Sequence, residues 1–479
     1  MAGILSYGVY VPIWRISRDE IARSVGSASM RGERAVASWD EDSLTMGVEA
    51  GLDCLAGVDP TEIDGLYFAS VSSPYREKQV SSLIASVLDL RKDVYTSDFA
   101  GSLRAGTQAV KAACDGVRAG TMRKVLVIAA DARKAMPRSD AEQTYGDGAV
   151  ALLIGGDDKA LATIEGFSTI VDPMPGPWRR EEDRYAQVFD VRIDTRFGVL
   201  KNVPQAVNRV LGEVGLQASD VSKYAAYGPD ARTHAAIAGQ LKIDAKTQLQ
   251  DSMFKDTGIT GVAHCLLLLV AALEEAKQGD HIVCTSYGEG SDAFLVKATD
   301  RLDRERANHR GTQYVSSKAM LPSYGRFLTY KKEIEVGWPE WERSSVAKYW
   351  RDENWLLPLY GMKCNNCGTL QYPVRRICSV CGERDNYENV KLARRGKVFT
   401  FTHDYLLGPG NRPADGINAA TRVLIALEDG CRIWLEMTDH NAEEVNVDIP
   451  VELTFRLLHE KSDFRFYGWK ARPPRAGSN

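Results

Sequence analysis

The sequence predicts a layered α/β protein followed by a smaller all-β region. Up to about residue 300, short apolar strands alternate with longer amphipathic helices, which is typical of layered α/β folds. Two Cys-x-x-Cys pairs follow between residues 364 and 381. From about Lys391 onwards apolar and polar residues alternate, which indicates the strands of a small barrel or sandwich.

Three strand segments and three helices support the α/β prediction. The apolar runs from Lys124 to Ala132 and from Ala149 to Asp157 predict buried strands, and the stretch from Asp280 to Ala298 predicts a β-hairpin. Apolar residues at three- and four-residue spacing, with glycine near the end, predict helices in EDSLTMGVEAGLDCLAG, AGTQAVKAACDGVRAG and CLLLLVAALEEAKQGD. The polar, charge-rich stretch from Thr299 to Met320 predicts a linker or a surface strap.

The four paired cysteines predict a metal site. Cys364-x-x-Cys367 and Cys378-x-x-Cys381 can form two knuckles that supply four thiolates at tetrahedral distance, which suits zinc. Because protein would fill all four coordination positions, we expect this zinc to stabilise the fold rather than to catalyse.

Charge, the length of the apolar runs and cysteine usage argue against several classes of protein. A formal net charge of −4 argues against binding nucleic acid by bulk charge. No apolar run approaches the roughly 20 residues of a transmembrane helix. The nine cysteines, four of them in metal-type pairs, favour a reduced compartment. We therefore expect a cytoplasmic protein without nucleic-acid or membrane partners.

Several segments carry a resemblance to known families. The opening strand GILSYGVYVPIWRI, the turn and strand AEQTYGDGAVALLIG and the hairpin SYGEGSDAFLV resemble the 3-hydroxy-3-methylglutaryl-CoA synthase branch of the thiolase superfamily. The ribbon CNNC…YPVRRICSVCG and the closing FYGWKARP resemble the DUF35-type domain, a rubredoxin-like zinc ribbon with an OB-fold. Such domains are typically partners of thiolase-superfamily enzymes that work on acyl-CoA.

The resemblance implies a five-layered αβαβα fold of two similar halves, a C-terminal zinc ribbon and OB-fold barrel, and a homodimer or higher homo-oligomer. The expected domains are the two thiolase-like halves, a linker, a helical tether with the zinc ribbon, and the barrel, at 1–165, 166–300, 301–324, 325–390 and 391–479. We expect the barrel to help form a ligand tunnel, with the segment from Trp338 to Trp355 as its tether.

The catalytic cysteine of the family is missing from its expected position. The elbow TSDFAGSLRAGTQAV, aligned on its Ala-Gly-Thr, places Leu103 there, or Ser102 with one residue of slippage. The glutamate, histidine and asparagine of the family are replaced by Val71, Tyr227 and Ile259. An acyl-enzyme thioester needs a thiolate, so the usual mechanism is not available here.

What remains is chemistry at carbon, which needs an enolate stabiliser and a proton carrier. We expect a retro-aldol, retro-Claisen or aldol-type enzyme that acts on an acyl-CoA thioester, with coenzyme A as substrate carrier. Tyr227 or His264 would transfer the proton, Asp230 would orient one of them, and the elbow at Ser102 would form a wall of the site. The candidates for holding CoA phosphates, with solvated surface charge as the alternative for each, are Arg104, Arg133 and Lys134.

Two other functions stay open. One is a hydroxymethylglutaryl-CoA synthase-like acyltransferase that uses Ser102 or Cys265 as nucleophile, with His264 or His234 as its base. The other is a non-catalytic scaffold that binds acyl-CoA.

Overall fold

The computed structural model describes residues 1–174, 176–188, 190–305, 309–334, 345–405, 420–461 and 464–475, apart from the side chains of residues 305 and 461. The chain forms two compact units. The first comprises Met1–Ala37, Asp42–Ala85 and Leu90–Lys331, and the second comprises Ser38–Glu41, Ser86–Asp89 and Lys332–Asn479. Trp338 and Trp341 of the predicted tether lie outside the described residues.

The first unit contains twelve described strands and twelve described α-helices. The strands are β1 (Ala2–Tyr10), β2 (Trp14–Ser17), β3 (Glu33–Val36), β4 (Gly65–Ala69), β5 (Tyr95–Phe99), β6 (Lys124–Asp131), β7 (Gly148–Gly156), β8 (Ala162–Val171), β9 (Lys223–Ala226), β10 (His281–Tyr287), β11 (Gly290–Ala298) and β12 (Ala319–Met320). The helices are α1 (Arg18–Val25), α2 (Ser43–Cys54), α3 (Val80–Val87), α4 (Ala105–Arg118), α5 (Asp140–Thr144), α6 (Val191–Ile193), α7 (Leu200–Val214), α8 (Ala231–Gln240), α9 (His264–Glu275), α10 (Leu302–Glu305), α11 (Gln313–Ser316) and α12 (Tyr324–Tyr330).

The elements predicted from the apolar pattern are confirmed. The two apolar runs form β6 and β7, and the predicted hairpin forms β10 and β11, which pair antiparallel. The three predicted helices are α2, α4 and α9. Their apolar faces are buried because they pack on a nine-stranded sheet of order β5-β4-β6-β7-β1-β8-β11-β10-β9.

Five alternating layers build the first unit. On one half of the sheet α2 and α4 both pack on β6 and β7, and on the other half α7 packs on β8 and β11 while α9 packs on β9 and β10. Helices α4 and α9 meet at Gly106, where an added Cβ would lie 3.6 Å from the Leu266 side chain of α9 and 2.7 Å from the Val262 carbonyl oxygen in the turn before it. These two helices therefore share the central layer, and the predicted αβαβα fold class is confirmed.

The described part of the predicted linker packs on the first unit. Strand β12 pairs in parallel with β2, and the ring of Tyr314 lies 5.3 Å from that of Tyr10. The ammonium group of Lys331 lies 2.9 Å from both carboxylate oxygens of buried Asp147. Strand pairing and a buried ion pair thus extend the first unit to Lys331.

The second unit combines a small ribbon with a barrel. Its elements are α13 (Val346–Leu356), β13 (Tyr360–Cys364), β14 (Leu370–Gln371), β15 (Tyr387–Lys391), β16 (Arg395–Asp404), β17 (Ala420–Leu427), β18 (Arg432–Glu436), β19 (Pro450–Lys461) and β20 (Phe464–Arg472). The sheets have the orders β14-β13-β15 and β18-β17-β16-β19-β20. The amide of Thr438, just after β18, donates to the Ala471 carbonyl in β20 at 2.8 Å, so the five-stranded sheet is a nearly closed barrel.

Candidate functional site

The elbow predicted from the sequence forms a sharp turn from a strand into a helix. Strand β5 ends at Phe99 and helix α4 begins at Ala105. Gly101 has a φ of 84°, a left-handed conformation that glycine adopts without steric cost. Ser102 lies half-buried on this turn, and its carbonyl accepts the Ala105 amide at 3.0 Å. The serine is therefore held next to the N-terminal, electropositive end of α4.

A carboxylate lies within hydrogen-bond distance of Ser102. The Ser102 hydroxyl donates to the Oε2 atom of Glu289 at 2.6 Å. Glu289 occupies the turn between β10 and β11, where its φ of 44° is left-handed. Gly288 permits this approach, since an added Cβ would stand 2.9 Å from the Ser102 Oγ. The closing hairpin therefore places its turn directly against the elbow.

A cavity of about 460 Å³ opens beside the pair of Ser102 and Glu289. Its walls come from the elbow, the segment after β4, the segment after β6, and residues 177–186. Five cations line it: Arg76, Arg133, Lys134, Arg179 and Arg184. The lining thus carries five cations and, among its described residues, the single carboxylate of Glu289, although Arg76 also pairs with the exposed carboxylate of Glu181.

Two of the three residues predicted to hold CoA phosphates line this cavity. Arg133 and Lys134 do, whereas the Arg104 side chain is buried and pairs with Asp292 at 3.0 Å. The Asp292 carboxylate also accepts from the Thr107 hydroxyl at 2.8 Å. Arg104 therefore serves the packing of α4 against β11 and does not line the cavity.

The wall after β4 is fixed by Asp131 at the end of β6. This buried carboxylate accepts the amides of Val71 and Val262 at 2.9 and 2.8 Å, and the Ser72 hydroxyl at 2.7 Å. Burial raises the pKa of Asp131. Its oxygens are engaged by these donors, so Asp131 positions the wall at Val71 and does not itself line the cavity.

Tyr227 and His264 form a buried aromatic cluster outside the lining of the cavity. Their rings meet edge-on with centroids 6.3 Å apart, and Tyr227 stacks on Tyr287 at 6.2 Å. Tyr287 is the last residue of β10 and lies two residues before Glu289. The end of β10 therefore contributes Tyr287 to the cluster, and the turn that follows contributes Glu289 to the cavity. Arg133, which lines the cavity, also acts electrostatically on the Tyr227 phenol.

Burial shifts the pKa values of both predicted proton carriers. It raises the pKa of Tyr227, so its hydroxyl stays protonated at neutral pH. Burial, together with the proximity of His234, lowers the pKa of His264 to about 3. The His264 imidazole is therefore neutral near pH 7 and is a weak proton acceptor. Its Nδ1 atom is buried without a hydrogen-bond partner among the described residues.

Asp230 has a local structural role in the described geometry. Its carboxylate accepts the amide and the hydroxyl of Thr233 at 2.8 and 2.7 Å and thereby caps the start of α8. No hydrogen bond of the described residues joins it to Tyr227 or His264. The alternative nucleophile Cys265 is 2% exposed within the core and does not line the cavity.

Sequence reasoning missed Glu289. It lies 187 positions from Ser102, and no local spacing connects the two. The available signal was the segment SYGEGS, in which a glutamate stands between two glycines at the turn of a predicted hairpin. Only the fold shows which element that turn faces.

The four paired cysteines of the second unit fit a tetrahedral zinc ion. Their sulfur atoms all lie within 4.8 Å of one another, and the pairs Cys364–Cys381 and Cys367–Cys378 are 3.6 Å apart. Zinc–sulfur bonds of 2.3 Å imply sulfur separations of about 3.8 Å. The Thr369 hydroxyl, 3.1 Å from the Cys367 sulfur, helps to lower the pKa of that thiol to about 6, which favours the thiolate that zinc needs.

Comparisons with known proteins agree with this geometry. Residues 359–388 match the family described as ChsH2, rubredoxin-like zinc ribbon domain. A hydroxymethylglutaryl-CoA synthase of Methanosarcina mazei is 31% identical over 346 residues, which cover 70% of this chain and 99% of the relative. That of Pyrococcus horikoshii is 32% identical over 310 residues, 64% of this chain and 88% of the relative.

Solved structures show the same fold. MvaS in complex with 3-hydroxy-3-methylglutaryl coenzyme A superposes with a TM-score of 0.63 at 18% identity, over 71% of this chain and 94% of that one. The 3-oxoacyl-[acyl-carrier-protein] synthase III of Aquifex aeolicus gives 0.57 at 22% identity, over 62% and 100%.

The layered fold and the elbow define the first unit as a thiolase-fold protein. At 31% identity over almost the whole length of a relative, the chain belongs to the hydroxymethylglutaryl-CoA synthase family. It carries in addition a zinc ribbon of the ChsH2 type and a barrel. No helix in the described parts of the chain has the length and apolar character that a membrane span requires.

Proposed function

We propose that this protein makes or breaks a carbon–carbon bond on an acyl-CoA thioester. The observation that carries the proposal is the cationic cavity against the elbow, because its five basic side chains suit a phosphate-rich carrier. Membership of a family whose relatives are named hydroxymethylglutaryl-CoA synthases supports it. So do the solved neighbours that hold 3-hydroxy-3-methylglutaryl coenzyme A and CoA.

The reaction that we propose proceeds without a cysteine thioester. All nine cysteines lie in the described part of the chain, and none of them lines the cavity. Without a thiolate nucleophile, the thioester carbonyl can still be activated in place. Placed over the start of α4, the carbonyl oxygen would face backbone N–H groups and the helix dipole, which stabilise an enolate.

Tyr227 does not line the cavity, so it would support this reaction from behind the cavity wall, next to Arg133 and Tyr287. Its raised pKa keeps the hydroxyl protonated, so it would act there as a neutral dipole. The neutral imidazole of His264 packs against its ring and would orient it.

A second candidate function is acyl transfer through Ser102. The 2.6 Å hydrogen bond to Glu289 favours it, since a carboxylate at that distance can assist a serine nucleophile. Incubation with a labelled acyl-CoA and weighing of the intact protein separates the two functions. A mass increase that maps to Ser102 supports acyl transfer, whereas an unmodified protein that turns over supports direct carbon chemistry.

The experiment that tests the proposal uses the full chain with zinc bound. Calorimetry measures the affinity for CoA, and hydrogen–deuterium exchange at Cα of acetyl-CoA in D₂O measures enolate formation. A panel of β-hydroxyacyl-CoA thioesters, 3-hydroxy-3-methylglutaryl-CoA among them, is then tested for cleavage. We expect binding together with exchange or cleavage. Tight binding without either reaction would instead favour the scaffold function, and no binding would refute the proposal.

A further inference from the structure

We propose that Glu289 is the catalytic residue that takes and returns the proton in this cavity, with Ser102 as the residue that positions its carboxylate. This inference rests on the proposed acyl-CoA function and adds to it the identity of the proton carrier. It is carried by the position of Glu289 among the groups that line the cavity.

The lining of the cavity leaves one side chain suited to accept a proton at neutral pH. Arginine and lysine side chains are protonated there, as are the hydroxyl groups of serine and tyrosine. The described lining contains side chains of these kinds, no histidine, no cysteine and the single carboxylate of Glu289. Carboxylates are the class of side chain that is deprotonated near pH 7 and can take up a proton.

The Glu289 carboxylate is oriented by Ser102 and lines the cavity. Ser102 donates to its Oε2 atom at 2.6 Å, and this is the one side-chain hydrogen bond to Glu289 within the described part of the chain. The Oε1 atom lies near Gly176, where an added Cβ would be 3.4 Å away. Glu289 is half-buried and lines the cavity, so its carboxylate is held by Ser102 at the cavity wall, where a substrate proton can reach it.

The backbone at Glu289 is held in an unfavourable conformation. A φ of 44° is uncommon for a residue with a Cβ, and such conformations concentrate at functional sites. The Glu289 carbonyl accepts the Asp172 amide at 3.2 Å, and the Gly288 amide donates to the Gly290 carbonyl at 3.0 Å. These bonds keep the turn closed and the side chain directed at Ser102.

The proton balance of the proposed step is complete. In the cleavage direction Glu289 accepts the proton of the β-hydroxyl group while the bond between Cα and Cβ breaks. The electron pair of that bond passes to the thioester as an enolate, and Cβ becomes a carbonyl carbon. Glu289 then returns the proton to Cα, which gives the shortened acyl-CoA. In the condensing direction the same carboxylate removes the proton from Cα.

The test compares Glu289→Gln with the wild type in the Cα exchange assay. Gln keeps the size and the hydrogen bond to Ser102 but cannot take a proton. We expect exchange to fall by about 10²-fold or more, the usual effect of losing a positioned base, with the Kd for CoA within about 3-fold. Ser102→Ala should cost less, about 10-fold, because the carboxylate stays in the cavity. Glu165→Gln, on β8 and outside the cavity lining, is the matched control and should keep full exchange.

Three outcomes are decisive. A wild type that exchanges while Glu289→Gln stays within about 3-fold of it overturns the inference and leaves the proposed function standing. An acyl adduct on Ser102, with loss of exchange in Ser102→Ala equal to that in Glu289→Gln, overturns it in favour of a serine nucleophile. A wild type that neither exchanges nor cleaves any thioester refutes the proposed function and the inference together. An unchanged CoA affinity in Glu289→Gln shows that the variant is folded, and partial recovery in Glu289→Asp would add support.

Discussion

Gly288 lies directly against Ser102, because a Cβ built on Gly288 would stand 2.9 Å from the Ser102 hydroxyl oxygen and 3.2 Å from the Leu103 amide nitrogen. A Cβ does not come within 3.0 Å of another atom, so with any larger residue at position 288 either the Ser102 hydroxyl must rotate away or the hairpin turn must move back from the elbow. The hydrogen bond between Ser102 and Glu289 depends on this contact. Gly288 is thus a structural requirement of the site.

We predict that Gly288→Ala lowers the rate of Cα exchange by about tenfold or more and the free energy of unfolding by about 1–3 kcal/mol, the usual cost of overpacking. Gly239→Ala is the matched control, since its added Cβ, near the end of α8, meets nothing within 4 Å. Alanine is preferred over glycine in helices, so stability should stay equal or rise by up to about 1 kcal/mol. Full activity in Gly288→Ala would show that the turn can move without affecting the site. Exchange and urea unfolding are measured on both variants.

Substitutions at Arg104 and Lys134 should change different properties: the first should lower the stability of the fold, and the second should lower the affinity for CoA. Arg104→Met leaves the Asp292 carboxylate buried without its cation, which typically costs about 3–5 kcal/mol. We expect its affinity for CoA to remain near that of the wild type. Lys134→Met, at the cavity wall, should raise the Kd for CoA by about tenfold with a smaller loss of stability. Urea unfolding and calorimetry on each variant check both effects. The reverse pattern would place the carrier elsewhere.

The zinc ribbon predicts a metal content of about one zinc ion per chain. Cys378→Ser should lose the metal and destabilise residues 359–388, because a structural zinc contributes folding free energy. Cys431→Ala is the control: this buried cysteine lies outside the cluster, so the variant should retain zinc. Metal analysis of undenatured protein and proteolysis of the ribbon give the readout. Zinc-free wild-type protein with an intact ribbon would contradict the assignment.

The local part of the fold could be predicted from the sequence, and the site only in part. The periodicity of α2, α4 and α9 and the spacing of the four cysteines are properties of short segments, so one sequence suffices for them. The elbow at Ser102 was found for the same reason. Glu289 was not, because its contact with Ser102 arises only when β10 and β11 fold back across the sheet.

Burial also changed the chemistry expected of single residues. A free histidine suggests a base near neutrality, but the core around α9 holds the pKa of His264 at about 3. From the sequence alone Arg104 is a candidate phosphate ligand, but in the structure its guanidinium group pairs with the Asp292 carboxylate. The roles of Tyr227 and His264, the homodimer, the contribution of the barrel to a tunnel and the cytoplasmic location stay predictions.

His264 also predicts how stability depends on pH. Its folded pKa of about 3 lies below the value of about 6.5 expected for an unfolded chain, so folding favours the neutral form. The stability it contributes is complete above about pH 6.5 and is lost as the pH falls towards 3, because only the unfolded chain takes up the proton there. This loss approaches about 1.4 kcal/mol per pH unit. His234, whose pKa burial lowers to about 4, adds a slope of the same sign.

We therefore predict that His264→Leu flattens the decline of the free energy of unfolding between pH 6 and pH 4.5, measured by urea unfolding. Val262→Ala, in the buried turn just before α9, removes packing without a titratable group and should lower that free energy equally at each pH. A decline as steep in His264→Leu as in the wild type would show that this histidine is not kept neutral by the fold.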